Sequence, residues 1–540
     1  MGQSEDHQIL LDKQEPASNN DSYENGVPNL LHRNHIGLMI NYALIGLLMG
    51  TFPRTIFPFF RMYLNMDGYQ VSAAKSLIGI AWSFKIVVGV LSDSVSIAGY
   101  RRRPYMLSGW LLCLVFLSAM AWTNPEPPYF AKGEILAQSN ASLRKILNPN
   151  AQFDGISYLL LLMGATVGYV MVDVACDAVM VELAQTERED VRGHTQTLSY
   201  ITKSIFASIG SAVVGLTMNG EEYGGAFTWS VSFNGLMLVY SIVVLVIMPC
   251  IAFVPDNLPL QMPSLGTKCK ELYELCKQRA MWQVMWFQYL NTLFFEFEAA
   301  PASVVQSEWA HVHPFNEAMF SIVSCWLLAC GMYITKRYFL HVDWRWLTAI
   351  TTLFVVVVDS TVSFLTIFDY VRNQWFYLGG PVLGHIPEGV RYIVTGFVIV
   401  EIADAGHEGA TYGLLTTVGN LASPFAVALS KVVDAPFHVF QEDVVSDTSA
   451  VRVRVAWTFG IMYFMKLLSI ITLVLLPSQK VAARALRRDG GAHPRMAFTT
   501  LSTAALSLLF GIVTNLLSIF PATACLVLAG GEGCSNSTTH

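Results

Sequence analysis

Apolar runs of roughly 20 residues, the length that crosses a bilayer as a helix, alternate with short polar connectors along most of the chain. They predict spans at 36–60, 70–91, 105–122, 156–181, 195–217 and 229–254. A polar stretch, 255–280, follows, and the pattern resumes at 281–302, 315–335, 346–369, 385–402, 411–432 and 456–476. A thirteenth run, 498–520, comes after a basic connector at 477–497; it could span, re-enter or lie flat. Residues 1–35 are polar and lack the short apolar core of a signal peptide, which reads as a retained, disordered tail. The expected fold is an all-α polytopic membrane protein. Two six-helix bundles, 36–254 and 281–476, are joined by the linker and followed by the extra segment and tail, 498–540.

Composition narrows the function. Of 540 residues, 53% are hydrophobic and 13% charged, with mean hydropathy +0.46. That charged fraction is about half the soluble norm, which excludes a soluble multi-domain enzyme and a disordered chain. A net charge of −6 gives no general attraction to nucleic acid. There is no Walker loop, nucleophile elbow or metal-ligand cluster, and Cys269 and Cys276 are too sparse for zinc. Neither an enzyme nor a cofactor is expected.

Charge sets the expected orientation. Connectors on the N-terminal side carry Arg101, Arg102, Arg103, Arg188, Arg192, Lys268, Lys270, Lys277, Arg279, Lys336, Arg337, Arg345 and the basic run from Lys480 to Arg495. The other side carries fewer, so the N-terminus belongs in the cytosol. The sequon Asn140-Ala-Ser is then external, and Asn536-Ser-Thr is external if 498–520 spans. Cys525 and Cys534 would meet an oxidising side, as a pair or as two unrelated thiols. Met1-Gly2 opens a myristoylation pattern that Asp6 spoils. Asp6-His-Gln-Ile-Leu-Leu11 has the form of an acidic dileucine signal, which leaves an endosomal or vacuolar membrane open beside the plasma membrane.

An ionisable group at the bilayer centre costs roughly 2.5–3.5 kcal/mol on insertion scales, so each that persists needs a partner, water or cargo. The candidates are Arg54, Lys85, Asp173, Asp177, Lys203, Glu296, Glu298, Asp359, Glu388, Arg391, Glu401 and Lys466. Asp173 and Asp177 stand four apart on one helix face. Burial and mutual repulsion favour a proton held between them near neutral pH, which is what proton coupling needs. The structural alternative is neutralisation by Lys203. Arg54 and Lys85, near Pro53, Pro58 and Trp82, suit an anionic ligand, unless Arg54 snorkels to the surface. Glu388 and Arg391 read as a pair. Glu296 and Glu298 read as pointing to different faces, and Lys466 as balancing Asp359 or Glu401. Aromatic residues crowd spans one, two and seven; most read as packing or interfacial belts, and some could stack a flat heteroaromatic ligand.

The six-plus-six layout resembles the major facilitator superfamily, with a faint internal echo between Val170-Met-Val-Asp-Val-Ala175 and Val398-Ile-Val-Glu-Ile-Ala403. Gly89-Val-Leu-Ser-Asp93 and Gly99-Tyr-Arg-Arg-Arg-Pro104 resemble its signature connector, in which the Asp meets a helix N-terminus or an Arg across the seam between halves. Three further stretches resemble the folate–biopterin transporter family: Trp82-Ser-Phe-Lys85, Asp173-Val-Ala-Cys-Asp177 with Arg192-Gly-His-Thr-Gln196, and Gly406-His-Glu408-Gly-Ala-Thr-Tyr412. One departure is Ile86, where that family often has Pro.

The resemblance covers roughly 36–476 and implies uptake of folates or pterins with protons by alternating access. It implies central-cavity residues at Lys85, Lys203, Asp173 and Asp177, and a gate of Asp93, Arg101, Arg102 and Arg103. With the chemistry of the residues themselves, the expected substrate site is Lys85, Lys203, Arg54 and Trp82, and the expected proton-coupling pair is Asp173 and Asp177. Members also carry S-adenosylmethionine, so a carrier of that or of a nucleoside derivative is the nearest alternative. A non-transporting sensor on the same fold is a more distant one. Beyond the small-molecule cargo, protons and lipid, no partner is implied.

Overall fold

A computed structural model describes residues 23–24, 27–123, 127–131, 146–185, 187, 194–256, 264–339, 341–402, 408–531 and 533–534. The myristoylation and dileucine patterns, both sequons, Arg188, Arg192 and Gly406 lie outside the described residues.

The thirteen apolar runs each fall on helix. The N-terminal bundle holds α1 (Ile36–Tyr63), α2 (Gly68–Ser94), α3 (Arg103–Trp122), α4 (Ile156–Gln185), α5 (His194–Thr217) and α6 (Phe233–Phe253). The second holds α7 (Arg279–Phe295), α8 (Pro314–Tyr338), α9 (Trp344–Ile367), α10 (His385–Ile402), α11 (Glu408–Asp434) and α12 (Ser449–Val474). Next comes α13 (Pro494–Ile519). Among the described residues, eleven helices are long and apolar enough to cross a membrane; α7 and α10 are not among them.

Those two belong to interrupted segments. α7 stops at Phe295, and an irregular stretch through Pro301 separates it from the short helical turns at 302–309. Pro301 disfavours helix at the residue before it. α10 is split at Gly384 from a helix at Gln374–Leu383. Irregular backbone at membrane depth is tolerated where it is buried in protein or lines a cavity.

Packing within the first bundle is set by close backbone approach. A Cβ on Gly46 would lie 2.2 Å from the Lys203 carbonyl oxygen, and one on Gly50 would lie 1.9 Å from that of Ala207. This small-xxx-small face of α1 draws α5 in against it and fixes the backbone that carries Lys203.

One face of the molecule carries the linker helix Leu265–Lys277 and the basic helix Lys480–Asp489. On the opposite face the bundles are locked together. Arg61, 1% exposed, contacts Glu308 at 3.1 Å and donates to Ser307 Oγ at 3.0 Å and Gln441 Oε1 at 2.7 Å. Gln441 also donates its backbone N–H to Asp67 and its amide to Asn65. Arg61→Gln should cost about 3–5 kcal/mol of closure, because it takes a buried cation away from the poorly exposed Glu308. Faster amide exchange over residues 64–68 and 439–446 would report it; unchanged exchange in both would remove Arg61 from the lock.

Near this face Asp447 joins Arg372, at 2.6 Å, to Arg452, at 2.8 Å. Partial burial pushes its carboxyl up, but the two guanidinium groups outweigh that and hold it down at about 2. The depressed value means the stabilisation is complete above the unfolded carboxylate range near pH 4 and is lost as pH falls through about 2. Asp447→Asn should therefore lower the stability at pH 7 by about 1 kcal/mol for this part-exposed network, seen as a lower melting point whose difference from the parent closes toward pH 2.

α13 packs on α2, α7 and α11, so it touches both bundles. Asn515 donates to Ser76 Oγ and accepts from Lys431, and Tyr289 meets Ser507. Beyond it, Cys525 and Cys534 form a disulfide.

Candidate functional site

The charges expected from α2, α4 and α5 meet in one cluster. Asp173 and Asp177 share a face of α4, as their spacing requires. Lys85 Nζ lies 2.6 Å from Asp173 and 3.1 Å from Asp177. Lys203 grips the other oxygen of Asp173. Tyr42, from α1, donates its hydroxyl to Asp177 at 2.9 Å. Asp173 is fully buried, whereas Asp177 is 24% exposed and Lys85 20%. Two ammoniums thus meet two carboxylates.

A break in α2 places the aromatic member. Residues Ile80–Phe84 tighten into a 3-10 turn between two α-helical segments, a device common at hinges. It sets Trp82 beside Lys85: the two Nζ atoms of Lys85 and Lys203 stand 4.8 and 5.3 Å from the Trp82 ring centroid. Both are within cation–π range. Tyr169 packs edge-on to the same ring.

Trp82 also lines a cavity of about 520 Å³ between the bundles. Its other walls are Lys75, Ser76 and Gly79 of α2, Phe295 at the end of α7 with the irregular residues 296–298 after it, and parts of α11 and α12 that include Asn420, Pro424, Met462 and Lys466. Ser83 donates to the Asn420 carbonyl, and Asn420 donates to that of Trp82, which ties α2 to α11 at this level. Glu296 and Glu298 both line the cavity, against the sequence expectation of opposite faces. Helical periodicity ends at Phe295 and no longer sorts them.

Other predicted pairs differ as well. Glu388 meets His385 at 2.6 Å rather than Arg391, which donates instead to Asn291. Asp359 accepts from Tyr463, and Glu401 pairs with Arg484 at 2.6 Å, so Lys466 balances neither. Arg54 does not join the cluster. It lies 3.8 Å from Glu317 of α8, across the seam.

Three of the four gate candidates come together. Asp93 Oδ1 accepts from Arg101 at 2.8 Å and Arg102 at 2.6 Å, and both arginines also reach Glu182 of α4. Arg103 donates to the Val254 carbonyl. The expected contact of Asp93 across the seam is not what the structure has: these partners all lie in the N-terminal bundle. The carboxylate at the N-terminus of α3 is Asp256, which accepts from the backbone N–H of Arg101, Arg102 and Arg103 and offsets the helix dipole there. Sequence reasoning missed Asp256, Tyr42, Glu182 and Glu317; all are ordinary-looking residues at span ends or in mid-span, and no spacing marks them.

Two helical bundles around a central cavity, with ionisable groups at membrane depth, define a polytopic helical membrane fold. The backbone agrees. It superposes on the crystal structure of a D-xylose–proton symporter with TM-score 0.58 at 12% identity, covering 82% of this chain and 98% of that one. It also superposes on a POT family transporter in complex with 5-aminolevulinic acid, with TM-score 0.57 at 11% identity, covering 84% and 99%. Within that class the chain belongs to the BT1 family, whose model matches residues 46–490. A folate-biopterin transporter of Synechocystis sp. is 21% identical over 373 residues, 66% of each chain. A probable folate-biopterin transporter 4 of Arabidopsis thaliana is 24% identical over 162 residues, 29% of this chain and 28% of its own length. The matches thus span less than two thirds of either relative.

Proposed function

We propose that this transporter carries a folate- or pterin-type anion together with protons, by alternating access about the central cavity. The observation that supports the reading most is the cavity itself. Its volume of about 520 Å³ lies in the range of small-molecule sites. Trp82 and Phe295 offer flat faces for a heteroaromatic ring, and carboxylates at Glu296 and Glu298 suit the adjacent N–H donors of a 2-amino-4-oxopyrimidine edge. The relatives named for folate and biopterin point the same way.

The Lys85–Asp173–Lys203–Asp177 cluster is the proton-handling unit, one ring away from the cargo. Lys85 contacts both carboxylates, so a shift of Lys85 leaves Asp177 with Tyr42 alone. A carboxylate deprived of its cation in such a place takes a proton instead. The energetics call for it: at 100 mV, inside negative, a dianion entering pays roughly 4.6 kcal/mol, which two protons cancel.

With the N-terminus in the cytosol, the Arg61 lock closes the external face, and the Asp93–Arg101–Arg102–Glu182 group is the gate of the cytosolic one. The carrier then belongs in the plasma membrane, or in an endosomal or vacuolar one. Uptake of labelled folate, biopterin and S-adenosylmethionine into proteoliposomes, each with and without an acid-outside gradient, tests the reading. Accumulation of a pterin under the gradient supports it; transport of S-adenosylmethionine alone would replace it.

A further inference from the structure

The cations around the cavity differ in what they already hold. Lys85 and Lys203 are committed to Asp173 and Asp177. Lys75 pairs with Glu298 at 3.2 Å. Arg391 and Lys466 make no ion pair among the described residues, yet both sit on helices at membrane depth.

One ring organises them. The Arg391 guanidinium lies 3.5 Å from the Phe295 ring centroid, and Lys466 Nζ lies 5.4 Å from it. Arg391 is braced: its Nη2 donates to Asn291 Oδ1 at 2.5 Å, and Asn291 in turn donates to the Ser469 carbonyl and Thr472 Oγ1 of α12. Its Nη1 is buried and has no hydrogen-bond partner among the described residues. Glu388 is engaged by His385, and Glu296 acts by charge on both Arg391 and Lys466 without closing to ion-pair distance. A buried charged donor left unmade is costly, and two cations sharing one such carboxylate at membrane depth leave positive charge uncompensated. Phe295, Glu296 and Lys466 line the cavity; Arg391 does not, and stands against the Phe295 ring.

We infer that Lys466 at the cavity wall, with Arg391 beside it on the Phe295 ring, forms the carboxylate subsite, gripping the acidic end of an anionic cargo while its ring lies toward Trp82. The inference rests on the pterin reading above and deepens it. It assigns the anion to the second bundle, because the lysines of the first are already neutralised. Arg391 supplies the planar fork that matches a carboxylate, and Lys466 supplies the second charge.

The test uses two cargoes that share a pterin ring and differ in the acidic tail. Counterflow of labelled folate and of labelled biopterin, which has no carboxylate, is measured in proteoliposomes with the parent, Arg391→Gln and Lys466→Gln. The KM for folate should rise by about ten- to hundredfold in each variant, while biopterin exchange stays near the parent's and shows that the variants are folded. Equal losses for both cargoes, or an unchanged folate KM, would overturn the subsite. If Arg391→Gln does not fold, Lys466→Gln carries the same comparison alone. A parent that carries biopterin but never folate refutes the carboxylate subsite and leaves the pterin reading standing. A parent that carries neither removes the pterin reading, and this subsite goes with it.

Discussion

Asp173→Asn should abolish concentrative uptake and, at the same time, destabilise the purified carrier by about 3–5 kcal/mol. Asp173 is fully buried between Lys85 and Lys203. Removing the shared anion strands Lys203 and leaves Lys85 with Asp177 alone, and a buried charge without its counterion carries a penalty of that order. Loss of transport by this variant alone would not separate a structural salt bridge from a proton site. Asp173→Asn combined with Lys203→Met does separate them, because it removes one charge of each sign. The double variant should recover most of the lost melting temperature and retain counterflow exchange, yet still fail to accumulate substrate under an acid-outside gradient. Recovery of gradient-driven accumulation in it would reduce Asp173 to a structural ion. Asp177→Asn, at the part-exposed end of the cluster and held by Lys85 and Tyr42, should lose accumulation with a smaller loss of stability.

The second large effect is expected at Trp82. Stacking of a heteroaromatic base on an aromatic side chain is worth about 1–3 kcal/mol by alanine substitution, so Trp82→Ala should raise the KM for pterins by roughly tenfold or more. Folate and biopterin should be affected alike, since both present the ring. The same substitution also takes away the ring against which Lys85 and Lys203 lie, so the pH dependence of uptake should change with it. Trp82→Phe keeps a flat face and should recover most of the affinity. Counterflow kinetics with both cargoes read the effect directly; a KM unmoved by Trp82→Ala would place the ring elsewhere in the cavity.

The positions of the helices were legible because the bilayer imposes one length and one polarity on every span, and a chain cannot disguise runs of that kind. The pairing of Asp173 with Asp177 on one face was legible for a similar reason: it follows from helix geometry alone. What the sequence concealed were departures from regular helix. The 3-10 turn at Ile80–Phe84 leaves no mark in the residue types, yet it aims Trp82. The end of α7 at Phe295 put Glu296 and Glu298 into one cavity, and Pro301 was the signal that the helix would not continue. Nothing local marks Arg61, because its partners, Ser307 and Gln441, lie 246 and 380 residues away. The partner of Arg391 was misjudged because Glu388 has a second neighbour at the same spacing on its other side, His385, which takes that acid.

Proton movement accompanying cargo is the claim on which the transport reading stands, and it can be observed without a radiolabel. Purified carrier is reconstituted into vesicles enclosing a pH-sensitive dye, and an unlabelled folate is added outside with no pH gradient imposed. The interior should acidify as folate enters, and the Asp173→Asn/Lys203→Met variant should give no such signal while still exchanging folate. Folate entry without acidification of the parent's vesicles, or acidification that persists in the double variant, would contradict it.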